Sequence, residues 1–303
     1  MNPENFSAIT FPSLGISWNP GRYFEIGPVT IRYYGLIIAL GLLLAVIYAC
    51  RRSSQFGISV EDLTDGVLFI VPFAIICARL YFCVFSWDQY AANPISILYI
   101  WKGGLAIYGG VIGAAIGIVV FSLVKKIRVG AVLDITALGF LIGQSIGRWG
   151  NFFNREAFGA ETETFLRMGL TNRFTGEVTY FHPTFLYESV WNLCGFVLMH
   201  FLSKKRKYDG QIALGYLVWY GLGRTFIEGL RMDSLMLGSV RVSQILAAVT
   251  CLLGAAVLMV MAFLPHDPQN MQSARYARKL AEAAEAAAEV EAADSPAETD
   301  EAE

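Results

Sequence analysis

Long apolar runs separated by short polar stretches make up most of the chain. Seven of these runs are long enough to cross the roughly 30 Å of hydrocarbon in a bilayer as helices. The pattern predicts spans at about 31–50, 63–85, 104–124, 131–147, 184–202, 211–229 and 242–264. We therefore expect an all-α, polytopic membrane protein with seven transmembrane helices.

Composition agrees with a membrane class. The 303 residues are 55% hydrophobic and 16% charged, whereas about a quarter of the residues in a soluble protein are charged. Glycines recur every four residues on the third and fourth spans, a spacing that lets helix backbones approach closely in lipid. These glycines are Gly109, Gly113, Gly117, Gly139, Gly143 and Gly147.

Basic residues lie in alternate connections and predict the orientation of the chain. Short loops at 51–52, 125–128 and 204–207 are rich in lysine and arginine. By the positive-inside rule these loops are cytoplasmic. The N-terminus is then external and the C-terminus cytoplasmic.

Three regions flank or interrupt the membrane domain, which we place at 31–264. Residues 1–30 are expected to form an external N-terminal segment without the features of a cleaved signal peptide. The connection 148–183 is polar and too long for a simple turn, so we expect a small ordered external head. Residues 265–303 run into an acidic, alanine-rich tail, for which we expect a solvated, partly helical or disordered cytoplasmic appendage.

The cysteines give no indication of a metal site or a disulfide framework. All five lie in apolar runs, without CxxC pairs or His/Cys ligand spacing. They are Cys50, Cys77, Cys83, Cys194 and Cys251. We expect no metal, no other cofactor and no nucleic-acid partner.

The unusual polar residues of the spans gather at one depth. With the orientation above, they fall in the outer half of the bilayer, and Asp134 is the comparable polar residue near an inner end. Ionisable groups in spans are costly and mark functional sites by default. The outer set is Tyr34, Arg79, Tyr108, Arg148, His182, Tyr187, Glu188, Tyr220, Arg224, Glu228 and Arg231.

Two helix faces could build an anion site. Tyr220, Arg224 and Glu228 are spaced i, i+4, i+8, and Gln144, Arg148 and Asn151 are spaced i, i+4, i+7, so each set shares a face. Two facing arginines would repel unless an anion lay between them, and guanidinium groups suit phosphate. The alternative is structural ion pairing, of Glu228 with Arg224 and of Glu156 with Arg148 or Arg155.

Several motifs together resemble one bacterial family. The run 147–159 (GRWGNFFNREAFG) is similar to the signature of prolipoprotein diacylglyceryl transferases. Further motifs follow in that family's order: Tyr34-Gly35 after Arg32, GGLAIYGGVIG at 103–113, HPTFLYES at 182–189, and Tyr220-Gly221 with Arg224, Glu228 and Arg231. The resemblance covers about residues 25–264.

The resemblance implies an enzyme of the bacterial plasma (inner) membrane. It would transfer the diacylglyceryl group of phosphatidylglycerol to the thiol of the lipobox cysteine of a prolipoprotein, forming a thioether and releasing glycerol 1-phosphate. This would be the first step of bacterial lipoprotein maturation. The implied partners are phosphatidylglycerol, the prolipoprotein signal peptide and the lipid bilayer.

The resemblance also implies roles for individual residues. Arg148 and Arg224 match the family's essential arginines, and we assign both to the lipid phosphate, where they would stabilise the leaving group. Catalytic roles are implied for Arg148, Arg224, Tyr108 and Glu228. Asn151, Asn154 and Glu156 would orient the phosphatidylglycerol site, and Gly159 would permit the following turn. Supporting roles fall to Tyr34, Arg79, Glu188, Tyr220 and Arg231.

Tyr108 marks a departure from the family pattern. Many members carry a histidine before the paired glycines of the third span, which has been discussed as a base toward the acceptor thiol. A tyrosine is protonated at neutral pH and is a poor proton acceptor. Tyr108 therefore either orients a substrate or leaves deprotonation to another group. Because a cysteine thiol is already partly ionised near pH 7, we hypothesise that no histidine base is needed.

Two other classes of protein are considered. A transporter or channel for an anion would want polar residues across the whole bilayer, and their one-sided distribution argues against it. A noncatalytic lipid-binding or assembly subunit would use Arg148 for association without any reaction. Rhomboid-like proteolysis is disfavoured because the spans contain no Ser/His pair in a GxSx setting.

Overall fold

The structure, a computed structural model, describes residues 5–232, 236–237 and 240–294. Residues 1–4 of the predicted N-terminal segment and 295–303 of the predicted tail lie outside the described residues. The α-helices are α1 (Tyr33–Arg52), α2 (Val60–Phe85), α3 (Ile107–Lys125), α4 (Val129–Asn154), α5 (Thr184–Ser203), α6 (Gln211–Glu228), α7 (Val242–Phe263) and α8 (Gln272–Asp294). The strands are β1 (Phe6–Phe11), β2 (Ile16–Trp18), β3 (Tyr23–Ile26), β4 (Val29–Arg32), β5 (Met168–Asn172), β6 (Val178–Phe181), β7 (Met236–Leu237) and β8 (Val240–Arg241).

Among the described residues, six helical segments are long and apolar enough to cross a membrane. They are Tyr33–Phe56, Val60–Phe85, Ile107–Lys125, Val129–Asn154, Thr184–Ser203 and Val242–Phe263. The chain is therefore a mostly helical, polytopic membrane protein. The remaining predicted span corresponds to α6, whose 18 residues include Gln211, Arg224 and Glu228 and are less apolar.

The chain divides into two compact units. The first contains the described residues of Met1–Arg51, Leu133–Arg206 and Gly210–Pro265, and the second those of Arg52–Val132, Lys207–Asp209 and His266–Glu303. The first unit thus holds α5, α6, α7, nearly all of α1, and α4 from Leu133 onward. The second holds α2, α3 and α8.

A four-stranded antiparallel sheet in the first unit joins two segments that the sequence pattern treated as separate. Its order is β2-β1-β5-β6, so the N-terminal segment pairs with the connection between α4 and α5. The sheet packs on aromatic residues at the ends of α4 and α5, including Phe152 and Phe185. The strands depart from the predicted all-α class because pairing between residues about 160 positions apart leaves no trace in hydropathy.

Small residues bring helices together within each unit, as predicted. On α4, a Cβ at Gly139 would lie 3.6 Å from the Ala45 Cβ, and a Cβ at Gly147 would lie 3.1 Å from the Ile38 side chain, so this stripe faces α1. On α3, a Cβ at Gly109 would lie 2.6 Å from the Cys77 carbonyl, so the stripe of that helix faces α2. Both stripes are packing surfaces.

The tail forms a helix whose first turn is fixed to the second unit. Gln272 is 7% exposed and contacts three separate loops. Its N–H donates to Asp209 Oδ2 (2.8 Å), its Nε2 donates to the Gly57 carbonyl (3.1 Å), and its Oε1 accepts from the Arg128 N–H (3.1 Å). From Lys279 to Glu289 every residue of α8 is exposed. The tail is therefore a solvated helix with an anchored base.

Candidate active site

Three arginines surround one buried carboxylate, that of Glu188 on α5. Arg148 of α4 places Nη2 2.5 Å from Glu188 Oε2. Arg224 of α6 places Nη1 2.8 Å from Oε1, and Arg231 places Nη1 3.8 Å from the same oxygen. Glu188 is only 4% exposed, so these charges interact with less screening than surface pairs. The structure thus brings together the two arginines predicted from sequence.

Helix α4 continues past the predicted end of the fourth span at residue 147. Arg148 and Asn151 consequently share a helix face, and Arg148 Nη1 donates to Asn151 Oδ1 at 3.4 Å. Gln144, the other member of the predicted row, donates to the Tyr216 hydroxyl of α6 at 2.9 Å. The row therefore both presents Arg148 and ties α4 to α6.

Helix α6 presents Tyr220, Arg224 and Glu228 on consecutive turns, as predicted. Arg224 Nη2 lies 2.6 Å from Glu228 Oε2, and Glu228 is 2% exposed. The Tyr220 ring stacks on Tyr216, with 5.6 Å between the ring centroids. The Arg224–Glu228 ion pair and the shared Arg148–Glu188–Arg224 cluster therefore coexist.

Asp134 of α4 caps the start of α6. Its carboxylate accepts from the backbone N–H groups of Gly210, Ile212 and Ala213, each at 2.9 Å. The first N–H groups of a helix lack partners within the helix and carry a partial positive charge. Asp134 is fully buried, so it fixes α6 to the helix that carries Arg148. The sequence signal for this cap was indirect: Gly210 precedes α6 and has no side chain with which to cap it.

Glu156 of the signature run accepts from two asparagines. Asn151 Nδ2 donates to Glu156 Oε1 at 2.9 Å, and Asn154 Nδ2 donates to the same oxygen at 3.2 Å. The structural alternative considered from sequence was an ion pair of Glu156 with Arg148 or Arg155. The described contacts of Glu156 are these hydrogen bonds from the two amides instead. Because one carboxylate orients both amides, the three residues form a single polar group beside Arg148.

Arg155 holds the signature run against the N-terminal segment. It is 4% exposed and donates to Asn19 Oδ1 (3.0 Å) and to the Pro20 carbonyl (2.6 Å). Burial, followed by the positive charge of Arg22, lowers the pKa of the Arg155 guanidinium to about 10. Arg155 remains charged at neutral pH and serves as a structural link.

Gly159 has a different role from the predicted one. It forms an antiparallel bridge with Arg231, and its N–H donates to the His182 carbonyl at 2.9 Å. Its φ lies outside the left-handed region, so no turn depends on its conformational freedom. A Cβ here would lie 2.7 Å from the His182 Cβ and 2.9 Å from the Leu230 carbonyl. Gly159 is therefore needed for close backbone packing next to Arg231.

Tyr34 of α1 packs against the turn of α4 that follows Arg148. A Cβ on Gly150 would lie 2.7 Å from the Tyr34 ring. The ring is partly exposed, at 38% for the residue. Tyr34 therefore contacts the signature helix through a position that only glycine permits.

Arg79 and Tyr108 belong to the second unit, whereas the cluster around Glu188 belongs to the first. Arg79 is 5% exposed and donates to four backbone carbonyls of the connection between α2 and α3. These carbonyls belong to Ser96, Ile97, Gly103 and Gly104, at 2.7–2.9 Å. Arg79 thus orders a loop, while Tyr108, at the start of α3, is 44% exposed.

Sequence reasoning missed a hydroxyl network that links α4 to α5 near Glu188. Ser145 Oγ donates to the Ser189 carbonyl (2.9 Å), and Ser189 Oγ donates to the Ser145 carbonyl (2.8 Å). The Trp149 indole N–H donates to Ser189 Oγ at 3.2 Å. The available signal was Ser189, the last residue of the motif HPTFLYES. This network fixes the residue beside Glu188 to the turn before Arg148.

The fold and the site define a polytopic membrane protein that gathers arginines from separate helices around a buried carboxylate. A family model for prolipoprotein diacylglyceryl transferase matches residues 22–260. The chain belongs to the prolipoprotein diacylglyceryl transferase family.

Curated relatives agree with this family. Proteins named phosphatidylglycerol–prolipoprotein diacylglyceryl transferase share 44% identity in Clostridium novyi (strain NT), over 78% of this chain and 93% of the relative, and 44% in Bacillus velezensis, over 78% and 90%. The relative from Bacillus cytotoxicus is 40% identical, over 84% of this chain and 95% of its own. The family is one of enzymes, so the chain is a transferase rather than a transporter or a noncatalytic subunit.

Proposed function

We propose that the cluster of Arg148, Arg224 and Glu188 is the phosphatidylglycerol site of a phosphatidylglycerol–prolipoprotein diacylglyceryl transferase. The observation that carries the proposal is the convergence of two guanidiniums from different helices on one carboxylate. The Glu188 carboxylate offsets the repulsion between the two arginines. Each guanidinium has five N–H donors, so the contacts to Glu188 leave donors for phosphate oxygens.

The reaction requires the arginines to stabilise a negative charge that grows on the phosphate. The lipobox thiol, as its thiolate, attacks the glycerol carbon that carries the phosphate, a sulfur–carbon bond forms, and the carbon–oxygen bond breaks. The phosphate leaves with the bonding electrons as glycerol 1-phosphate, and the thiol proton is released. A phosphodiester carries one negative charge and the departing monoester approaches two, so fixed cations stabilise the transition state more than the bound lipid.

The neighbouring residues complete the proposed site. Glu228 holds Arg224 through the 2.6 Å ion pair, and the amides of Asn151 and Asn154 supply donors beside Arg148. Gly159, through its bridge to Arg231, sets the backbone next to the cluster. Tyr34 and Tyr220 are assigned supporting contacts. For Tyr108, the comparison with the family pattern predicts that the side chain orients a substrate and does not act as a base.

We further place α6 across the membrane as the seventh span. Its 18 residues give a length of about 27 Å, close to the hydrocarbon thickness. The cost of Arg224 and Glu228 at this depth is reduced because each is ion-paired. An odd number of crossings puts the termini on opposite sides, with the N-terminus and the 148–183 head outside and the tail in the cytoplasm.

Reconstitution tests the activity. The purified protein is incorporated with phosphatidylglycerol and a lipobox peptide, and the peptide is analysed by mass for a thiol-linked diacylglyceryl adduct. We expect the adduct with the wild-type chain and a loss of at least about 100-fold in turnover for Arg148→Ala and Arg224→Ala, the scale of removing one transition-state donor. Arg167→Lys is the control, since Arg167 lies over the Tyr180 ring of the sheet. Equal turnover in all four proteins would refute the site.

Cysteine labelling tests the topology. Thr175→Cys and Gln269→Cys, both at exposed positions, are introduced separately into a chain whose native cysteines are replaced. A membrane-impermeant maleimide should label residue 175 in intact spheroplasts and residue 269 only after permeabilisation. Labelling of residue 269 in intact spheroplasts contradicts a cytoplasmic tail.

A further inference from the structure

A reciprocal tryptophan pair joins α5 to α6. The Trp191 indole N–H donates to the Trp219 carbonyl at 3.0 Å, and the Trp219 indole N–H donates to the Trp191 carbonyl at 2.9 Å. The two rings stack with their centroids 4.5 Å apart and their planes 20° from parallel. Each tryptophan is therefore both donor and acceptor to the other.

The sequence makes this pairing possible through the same short pattern on both helices. Trp191 is followed four residues later by Gly195, and Trp219 four residues later by Gly223. A Cβ on Gly195 would overlap the Trp219 indole, and a Cβ on Gly223 would overlap the Trp191 indole. In a helix the Cβ of residue i+4 tilts toward the N-terminus, beside the carbonyl of residue i. Glycine at this position therefore uncovers the carbonyl that the opposite indole reaches.

The pair lies next to the two residues that form the shared ion pair. Glu188 is one turn before Trp191 on α5, and Arg224 directly follows Gly223 on α6. Sliding α5 along α6 by a single residue, about 1.5 Å, would break both indole hydrogen bonds. An indole N–H without a partner is costly in hydrocarbon. The pair consequently fixes the relative height of the two helices, and with it the 2.8 Å contact between Glu188 and Arg224.

We propose that Trp191 and Trp219, with Gly195 and Gly223, are positioning residues for the phosphate site. They hold the Arg224 guanidinium where, together with Arg148, it meets the lipid phosphate. They touch neither substrate and act through the Glu188–Arg224 contact. This inference rests on the proposed function, because it assigns the pair to the affinity for phosphatidylglycerol.

The first test compares two glycines of α6 that face different helices. Gly223→Ala pushes on Trp191 of α5, whereas Gly221→Ala is the matched control, since a Cβ there would lie 2.7 Å from the Ala247 carbonyl of α7. We expect Gly223→Ala to raise the KM for phosphatidylglycerol about tenfold and to lower kcat as well, because a displaced Arg224 both binds the phosphate and stabilises its departure less well, with the KM for the lipobox peptide unchanged. Gly221→Ala should lower thermal stability and leave both KM values at the wild-type level. Equal KM values for phosphatidylglycerol in the two variants overturn the inference.

A second set of variants applies even if Gly223→Ala fails to fold. Trp219→Phe keeps an aromatic ring on α6 but removes the indole donor together with the pyrrole edge that lies over Gly195, and we expect it to raise the same KM in the same direction. Trp191→Phe, added to Gly223→Ala, removes the pyrrole edge that the new methyl group meets, and should recover part of the lost affinity. A Trp219→Phe protein with the wild-type KM for phosphatidylglycerol overturns the positioning role.

The two proposals fail in different ways. A wild-type protein that forms no adduct from phosphatidylglycerol refutes the proposed function itself. A wild-type protein that forms the adduct, loses it on Arg224→Ala, and is insensitive to Gly223→Ala and Trp219→Phe refutes the positioning role alone.

Discussion

Arg148 and Arg224 contact opposite oxygens of a single carboxylate, Oε2 and Oε1 of Glu188, at 2.5 and 2.8 Å. The two residues are 76 positions apart in sequence, and their like charges would separate them without an intervening anion. Glu188 therefore holds the guanidiniums of two separate helices side by side.

Replacing Glu188 with glutamine should make the fold depend on its lipid. Loss of the carboxylate leaves Arg148 without its anion and Arg224 paired with Glu228 alone, and breaking a buried ion pair costs up to about 3–5 kcal/mol. We expect Glu188→Gln to unfold at a lower temperature in detergent. Added phosphatidylglycerol should then stabilise the variant more than the wild type, since its phosphate supplies the missing charge. Differential scanning fluorimetry with and without the lipid measures both effects. The control is Glu163→Gln, at an exposed position, and equal stabilisation of wild type and Glu188→Gln would contradict this role.

Changing His182 should not abolish turnover. Its Nδ1 lies 3.3 Å from the Tyr187 hydroxyl, and its backbone carbonyl accepts from Gly159. A general base contributes about 100-fold or more, so we expect His182→Gln to lose less than about tenfold. The rate should rise with pH through the ionisation of the acceptor thiol, near pH 8.5, in both proteins.

The dependence of the rate on pH distinguishes a thiol that ionises by itself from one that His182 deprotonates. His200→Gln serves as the control, because His200 Nδ1 lies 2.9 Å from the Tyr48 hydroxyl. Complete loss of turnover in His182→Gln, with phosphatidylglycerol binding intact, would show that this histidine is the base after all.

Asp134 is expected to be the most sensitive single position for the stability of α6. Asp134→Ala leaves three N–H groups at the helix start without their acceptor, so the free energy of unfolding should fall by more than about 2 kcal/mol, the top of the range for one cap. Asp134→Asn keeps one acceptor oxygen, so its free energy of unfolding should lie between those of the wild type and Asp134→Ala. Thermal unfolding in detergent checks the order, with the exposed Asp88→Ala as control. Equal stability of the two alanine variants would rule out the cap.

The anchored base of the tail should stiffen the loops it contacts and leave turnover unchanged. The family match ends at residue 260, whereas Gln272 contacts Gly57, Arg128 and Asp209. We expect Gln272→Ala to increase amide hydrogen exchange at 53–59 and 126–128. Gln269→Ala is the matched control because the described contacts of Gln269 use its backbone. Unchanged exchange in Gln272→Ala would show that the contacts do not restrain these loops.

Sequence alone predicted the helices and several of the residues that meet around Glu188. Hydropathy located α1 to α7 because a segment in lipid must satisfy its own backbone, which makes a span apolar and about 20 residues long. Helical spacing placed Arg224 and Glu228 on one face, where the structure has them paired at 2.6 Å. The resemblance of the run 147–159 to the family signature singled out Arg148 and Asn151, which contact each other on one face of α4.

Only the tertiary structure showed what these residues contact. Glu188 lies 40 positions from Arg148, and the strand β1 pairs with β5 across about 160 positions; neither distance has a periodicity that a sequence could display. The role of Gly159 and the cap from Asp134 likewise depend on neighbours from distant segments of the chain. Local sequence patterns reflect the requirements of each single segment in lipid, namely an apolar surface and a satisfied backbone. The carboxylate shared at Glu188, the close backbone contact at Gly159 and the cap from Asp134 depend instead on which segments come together in the fold.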